Sequence, residues 1–239
     1  LSFSLSIKFF RLQPRHQTFI IMDDLNLSTA VEILTGPLDL QPLFIQPEGT
    51  HLGLGECPLC FLPMPLDNKK TTFYPCCSKT ICDGCIHVHH VQNGSMNCPF
   101  CREPASGEAE NNKRMMKRIK ANDPAALREM GQELSHREGD YDGAFEYLTK
   151  AAELGDLEAH SQLGSMYRFG LGVEKDEEKS NHHCEKAAIG GVPYARYNLG
   201  IHEDRNGNIE KAVTHFIIAA KLGDEDSMKY LWECYEDGD

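Results

Sequence analysis

Residues 57–101 read CPLCFLPMPLDNKKTTFYPCCSKTICDGCIHVHHVQNGSMNCPFC and hold eight of the ten cysteines in this 239-residue chain. The cysteines form four pairs: Cys57 and Cys60, Cys76 and Cys77, Cys82 and Cys85, and Cys98 and Cys101. In three pairs two residues separate the cysteines, and this spacing lets one turn present two thiolates to one zinc ion. Eight thiolates are enough for two structural zinc sites with no ligand position left for water.

Disulfide bonds and redox chemistry are the alternatives for these cysteines. Nothing in the chain indicates secretion, and short intracellular modules with this spacing bind metal more often than they form disulfides. A redox Cys-x-x-Cys motif would explain one pair and not four. About 50 residues bury too little apolar surface to fold alone, so we expect two structural Zn²⁺ ions to stabilise the segment directly.

The segment resembles a RING finger, and it is most similar to the all-cysteine RING of the CCR–Not ubiquitin ligase. The shared features are CPLC at 57–60, Tyr74-Pro75 beside the third ligand, Ile81 before Cys82, CPxC at 98–101, and Arg102. The resemblance implies a cross-brace with two zinc ions. One ion would be bound by Cys57, Cys60, Cys82 and Cys85, and the other by Cys76, Cys77, Cys98 and Cys101.

The resemblance also implies a function. A RING binds a ubiquitin-charged conjugating enzyme and orients its thioester for attack by a substrate lysine, without covalent chemistry of its own. The implied contacts with the conjugating enzyme and ubiquitin are Leu59, Ile86, Pro99 and Arg102. The alternative is a non-catalytic, zinc-dependent interaction scaffold, because a RING fold does not guarantee activity.

One feature departs from the family pattern. The family separates the third and fourth ligands by one residue, whereas Cys76 and Cys77 are adjacent. Neighbouring side chains of an extended strand point to opposite faces, so both thiolates reach one ion only if the backbone kinks there. Lys79 stands where many RINGs have histidine, and a histidine among 87, 89 and 90 is an alternative ligand.

The second half of the chain repeats a pattern. The segments DPAALREMG (123–131), DLEAHSQLG (156–164), VPYARYNLG (192–200) and DEDSMKYLW (224–232) align at steps of 33, 36 and 32 residues. Periods in this range indicate helical hairpins stacked into a solenoid. The recurring alanines and glycines predict close helix packing, and Gly155, Gly191 and Gly223 predict left-handed helix ends.

The pattern LGSMYRFGLGVEKDEEK (163–179) with KAAIGG (186–191) resembles the SEL-one-like repeat, a tetratricopeptide-like unit. The resemblance implies a right-handed solenoid that recruits a protein substrate or adaptor. Residues 123–239 carry a net charge of −13, which fits either a solvated surface or a groove for a basic partner. No catalytic triad, phosphate loop or paired-carboxylate site is present.

The sequence therefore predicts a small zinc-stabilised α+β RING module followed by an all-α helical-hairpin solenoid. The expected segments are a poorly structured N-terminus (1–50), the RING-type zinc finger (51–106), a basic linker helix (107–122), and about three and a half repeats (123–239). The basic run at 113–120 could bind RNA, but a structural helix is favoured. We expect no membrane span, and a cytoplasmic or nuclear location because the cysteines are reduced.

Overall fold

A computed structural model describes residues 55–237, apart from the side chains of 68, 138 and 235–237. The chain divides into two units, 1–49 and 50–239, and every feature below belongs to the second. The predicted N-terminal segment, 1–50, lies outside the described residues. Within residues 55–237 no helix has both the length and the apolar character that crossing a membrane requires.

The cysteine module, defined as residues 55–105, contains one hairpin and one helix. Strands β1 (Thr71–Tyr74) and β2 (Lys79–Cys82) pair antiparallel, with Thr71 opposite Cys82 and Tyr74 opposite Lys79. A short 3₁₀ turn (Asn68–Lys70) precedes β1, and helix α1 (Asp83–Asn93) follows β2 and ends at Gly94 in the left-handed conformation. The buried side chains of the module are few: Cys57, Ile81, Cys98 and Pro99.

Eight helices follow the module within the part of the chain that the structure describes. They are α2 (Glu108–Lys120), α3 (Pro124–Glu133), α4 (Tyr141–Glu153), α5 (Leu157–Phe169), α6 (Glu177–Ile189), α7 (Pro193–Arg205), α8 (Ile209–Lys221) and α9 (Glu225–Asp237). Helices α3/α4, α5/α6 and α7/α8 form antiparallel hairpins, and α9 packs on α8. A π-helical turn (Leu134–Glu138) extends α3. The helical-hairpin solenoid predicted from the repeat pattern is thus confirmed.

Aspartates begin most of the repeat helices. The side chains of Asp123, Asp156 and Asp224 accept hydrogen bonds from the backbone N–H groups of Ala126, Ala159 and Ser227. Such a cap satisfies a backbone donor that the first helical turn leaves without a partner. Helix α7 begins instead with Pro193, which has no N–H to satisfy.

Three equivalent glycines bring the two helices of each hairpin together. A Cβ atom added at Gly131, Gly164 or Gly200 would lie 2.6–2.8 Å from a side chain of the second helix. The side chains that these glycines meet are Leu148, Cys184 and Phe216. The prediction that small residues let the helices approach closely is therefore confirmed.

Helix α2 packs against the cysteine module through its arginines. The Arg118 Nη2 group donates a 2.7 Å hydrogen bond to the backbone oxygen of Cys76. Arg114 forms a 3.0 Å ion pair with Glu103. Met115 and Ile119 are half-buried, whereas Met116 is 40% exposed. Two of the five cations of α2, Arg114 and Arg118, therefore contact the cysteine module. These contacts fit the structural role that the sequence favours for this helix.

Candidate metal centres

Three tight turns position cysteines in the module. Phe61, Ser78 and Arg102 each end a turn in the left-handed conformation, with φ of 58°, 56° and 62°. Their backbone N–H groups each donate a 2.9 Å hydrogen bond to the carbonyl oxygen four residues earlier, on Cys57, Tyr74 and Cys98. Cys60, Cys77 and Cys101 thus occupy the same position in three similar turns, although only two of them are Cys-x-x-Cys knuckles.

The first sulfur cluster joins the first knuckle to the end of the hairpin. Its members are Cys57, Cys60, Cys82 and Cys85, whose Sγ atoms all lie within 4.8 Å of one another. Cys82 is the last residue of β2, and Cys85 lies in the first turn of α1. The Sγ atoms of Cys60 and Cys82 are 3.9 Å apart.

The second sulfur cluster joins the hairpin loop to the last knuckle. Its members are Cys76, Cys77, Cys98 and Cys101, and their Sγ atoms also lie within 4.8 Å of one another. Residues 75–78 form a turn rather than continuing β1, so the two adjacent cysteines do not point to opposite faces. Cys76 lies 3.4 Å from Cys101 and Cys77 lies 3.8 Å from Cys98, Sγ to Sγ.

The two clusters have the dimensions of tetrahedral zinc sites. With Zn–S bonds of about 2.3 Å, the edge of a regular sulfur tetrahedron is about 3.8 Å. The three S–S distances of 3.4–3.9 Å agree with this edge. They are far longer than a disulfide bond of about 2.05 Å, and none of the ten cysteines, all of which lie within residues 55–237, forms a disulfide. The arrangement of the sulfurs is the one the RING resemblance implies, while the metal itself stays a prediction.

The thiol electrostatics also favour a cation. Burial, together with the negative charge of Cys98, raises the pKa of Cys77 to about 11. At Cys57 burial acts in the same direction, but backbone N–H donors from Cys82, Cys60 and Leu59 lower the pKa to about 6. Four thiolates in one cluster repel each other, so full ionisation requires a positive ion among them.

Histidines do not contribute to either cluster. Every potential metal-binding group found within residues 55–237 consists of cysteines only. His87 is exposed on α1, and His89 and His90 are half-buried there. Lys79 is exposed on β2. The eight thiols are therefore the candidate ligands, and the substitution of a histidine finds no support.

The four residues implied to contact a partner differ in accessibility. Leu59 is 37% exposed and Arg102 is exposed, whereas Ile86 is half-buried. Pro99 is buried within the chain, so it presents little surface to a partner. Two residues that sequence reasoning did not name, Phe61 and Leu62, are 70% and 63% exposed beside Leu59. The sequence signal that could have identified them is the apolar pair Phe61-Leu62 directly after Cys60, the second cysteine of the first knuckle.

A cavity lies between the cysteine module and the repeats, with a volume of about 740 Å³. One wall comes from residues 64–67, β1 and β2, and the other from α3, the π-helical turn and α5. The charged side chains Arg128, Glu129 and Glu158 line the repeat wall. Sequence reasoning missed this cavity because its two walls come from separate segments of the chain.

A second feature missed from sequence is a histidine pair in the second repeat. The Nδ1 atoms of His160 and His183 lie 2.8 Å apart, and the ring of His183 stacks on Tyr167. Nothing in the local spacing indicates a partner for His183. Its partner is on the neighbouring helix, 23 residues earlier in the chain.

These features define a class of protein: a helical-hairpin repeat scaffold that follows a cysteine-rich module. The model of the Sel1 repeat family matches residues 124–156, 157–192 and 193–224. Residues 124–224 are therefore three consecutive Sel1 repeats, with the 33-, 36- and 32-residue lengths that the sequence periods predict. Solenoids of this kind are protein-interaction scaffolds.

The chain is similar to proteins from three organisms. The chain is 31% identical over 86 residues to chitin synthase regulatory factor 4 of Schizosaccharomyces pombe, covering 36% of this chain and 14% of that protein. A solved Sel1 repeat protein from Oxalobacter formigenes is 30% identical with a TM-score of 0.51, covering 57% of this chain and 59% of that one. The cysteine rich protein B of Helicobacter pylori is 24% identical with a TM-score of 0.40, covering 51% and 92%.

Proposed function

We propose that this protein is a RING-type ubiquitin ligase in which two structural zinc ions fold the cysteine module and the Sel1 repeats recruit a protein partner. The observation that carries the proposal is the interleaved sulfur arrangement. The first and third cysteine pairs form one cluster, and the second and fourth pairs form the other. This interleaving is the cross-brace of the RING resemblance, and consecutive zinc fingers would not need it.

The surface beside the first cluster supports the partner role. Leu59, Phe61 and Leu62 are exposed apolar side chains on one short segment. Contact of such side chains with water is unfavourable, and exposed apolar patches are typical of protein interaction sites. Arg102 is exposed at the end of the last knuckle. Exposed apolar side chains on the first knuckle and a cation on the last knuckle suit a conjugating enzyme and ubiquitin, while the buried Pro99 contributes by shaping the last knuckle from inside.

In this role the chain orients reactants. The cysteine module would hold the conjugating enzyme, and Arg102 would donate hydrogen bonds that fix the ubiquitin thioester in a reactive conformation. The solenoid would keep a bound partner close to that thioester. Zinc, when bound, supplies only structural ligation, because four thiolates leave no open position. The reduced cysteines support a cytoplasmic or nuclear location for this activity.

The test is a reconstituted conjugation assay with the full chain, an activating enzyme, ubiquitin, ATP and a panel of conjugating enzymes. Wild type should form ubiquitin chains, and Leu59→Ala and Arg102→Ala should each lower the rate about tenfold or more, the effect of losing ~1.4 kcal/mol. Lys79→Ala, an exposed cation on the hairpin, is the matched control and should retain the rate. No ubiquitin chains with any conjugating enzyme would refute ligase activity and leave the zinc-dependent scaffold.

A further inference from the structure

The cavity between the cysteine module and the repeats has an unbalanced charge. Arg128 donates to Glu129 at 3.0 Å and to Asp156 at 3.2 Å. Glu158 is a third carboxylate near this guanidinium. The repeat wall of the cavity itself holds two carboxylates, those of Glu129 and Glu158, and one guanidinium. Two further titratable groups line the cavity. Asp67 lies on the opposite wall, and His136 hydrogen-bonds the backbone oxygen of Gln132.

One carboxylate of this group, that of Glu158, has an oxygen atom without a hydrogen-bond donor among the described residues. The Oε1 atom of Glu158 is buried and accepts no hydrogen bond from the described residues, 55–237. Arg128, the nearest cation, has its short contacts with Glu129 and Asp156 instead. A buried carboxylate oxygen without a donor is costly to keep, which favours a ligand that brings a donor and a positive charge.

The remaining walls suit a chain of atoms rather than a bare ion. The apolar side chains of Met64, Leu66, Phe73, Met166 and Leu171 line the same cavity. A volume of about 740 Å³ lies within the range of ligand pockets and far exceeds the space of one cation. Lysine and arginine combine both requirements, because an aliphatic stem contacts apolar walls while the charged end reaches a carboxylate.

We propose that this cavity binds a basic peptide segment of a partner protein, whose lysine or arginine side chain pairs with Glu158. The proposal rests on the partner-binding role of the repeats and names the chemistry of that partner. It does not need ubiquitin transfer, so a binding measurement without ubiquitin enzymes separates its failure from failure of the ligase. The cavity joins both parts of the molecule and would place the partner beside the cysteine module.

The probe is the blocked peptide acetyl-Gly-Ala-Ala-Lys-Ala-Ala-Gly-amide, whose only charge is its lysine, titrated into the full chain by ligand-observed NMR. A second peptide replaces the lysine with norleucine, which keeps the stem and removes the charge. Wild type should bind the lysine peptide about tenfold more tightly than the norleucine peptide. Glu158→Gln should remove this preference, because the amide keeps the shape of the side chain and loses its charge.

The matched control is Glu153→Gln, an exposed glutamate on α4 that does not line the cavity. This variant changes the net charge equally and should bind like wild type. Equal affinity for the two peptides, or equal losses in both variants, would overturn the proposal in favour of a general attraction to an acidic surface. Tighter binding of a peptide with the chain's own residues 8–15, which carry three cations, would overturn the assignment to a partner in favour of an internal occupant.

Discussion

At the scale of single residues, Glu158 and the His160–His183 pair show how tertiary structure alters chemistry that a sequence leaves open. Both features join residues from different helices, so neither follows from local spacing. The thiols differ in this respect, because their spacing alone predicts eight ligands. The spacing does not predict the shape of the turn at Cys76 and Cys77, where Ser78 adopts a left-handed conformation. That turn lets adjacent side chains join one cluster.

The first prediction concerns Glu158. Burial raises its pKa from an ordinary value near 4.5 to about 7, against the attraction of Arg128 and with the repulsion of Asp156. The folded state therefore holds the proton more tightly, so this group's stabilisation is complete below pH ~4.5 and is lost as pH rises towards 7. Glu158→Gln should flatten that loss, on the order of 2–3 kcal/mol between about pH 5 and 8.

Urea unfolding of the zinc-loaded chain at the two pH values measures this difference. Glu153→Gln serves as the control and should keep the pH dependence of wild type, since its side chain is exposed. An identical pH dependence in wild type and Glu158→Gln would show that the carboxylate is solvated in the folded chain.

The second prediction concerns the histidine pair. Burial, together with the charges of His160, His182 and Lys186, lowers the pKa of His183 to about 4. The folded state therefore resists protonation, so stability that is present above pH ~6.5 is lost as pH falls towards 4. His183→Gln should reduce this acid sensitivity, although the lost ring stacking lowers stability at neutral pH.

Helical circular dichroism during urea unfolding at about pH 7 and pH 5 tests the slope rather than the absolute stability. His136→Gln replaces an exposed histidine and should retain the acid sensitivity of wild type. If the two variants lose stability equally on acidification, the pair at 2.8 Å has no special role in it.

At the scale of elements, the repeat helices were largely predictable because their signals are local. Aspartate caps, the glycines after each hairpin and the alanines at helix contacts recur at one period, and each has its own physical cause. The docking of α2 was not predictable in the same way. Its arginines contact a backbone oxygen and Glu103, which the helical pattern of residues 113–120 does not contain.

The third prediction uses the contact between α5 and α6. A Cβ atom at Gly164 would lie 2.6 Å from the Sγ atom of Cys184, so Gly164→Ala should destabilise the repeats by about 1–3 kcal/mol. In a Cys184→Ala background the same change should cost much less, because the nearest atom is gone. Thermal unfolding of the four variants gives the coupling between the two positions.

Gly84→Ala is the control for glycine in a helix. Nothing lies within 4 Å of a Cβ atom there, so this change should be neutral or stabilising through helix propensity. Equal costs of Gly164→Ala with and without Cys184 would contradict the packing explanation.

At the scale of the whole molecule, two parts of one chain are stabilised by different means. The repeats bury continuous apolar clusters, such as the one around Leu148 and Leu163. The described cysteine module buries Cys57, Ile81, Cys98 and Pro99, and two of these four are candidate ligands. The sequence predicts this contrast through its composition, but it does not predict the cavity that the two parts form together.

The fourth prediction follows from that contrast. If two zinc ions bind the clustered thiols as proposed, metal ligation takes the place of an apolar core in the module alone. A strong chelator should then unfold residues 55–105 and leave the Sel1 repeats at 124–224 folded. Hydrogen exchange read by mass spectrometry locates the change along the chain. Unfolding of the module should also weaken the binding of the lysine peptide, because the cavity would lose one of its walls. Protection of residues 55–105 that survives complete metal removal would contradict this.

The central claim is that two zinc ions bind the eight clustered thiols. Native mass spectrometry of the intact chain, purified without added chelator, tests it most directly. The predicted mass is that of the reduced polypeptide with two zinc ions, and Cys60→Ser and Cys101→Ser should each lower zinc occupancy at one cluster. A metal-free chain, or a mass lowered by disulfide formation among these cysteines, would contradict the account.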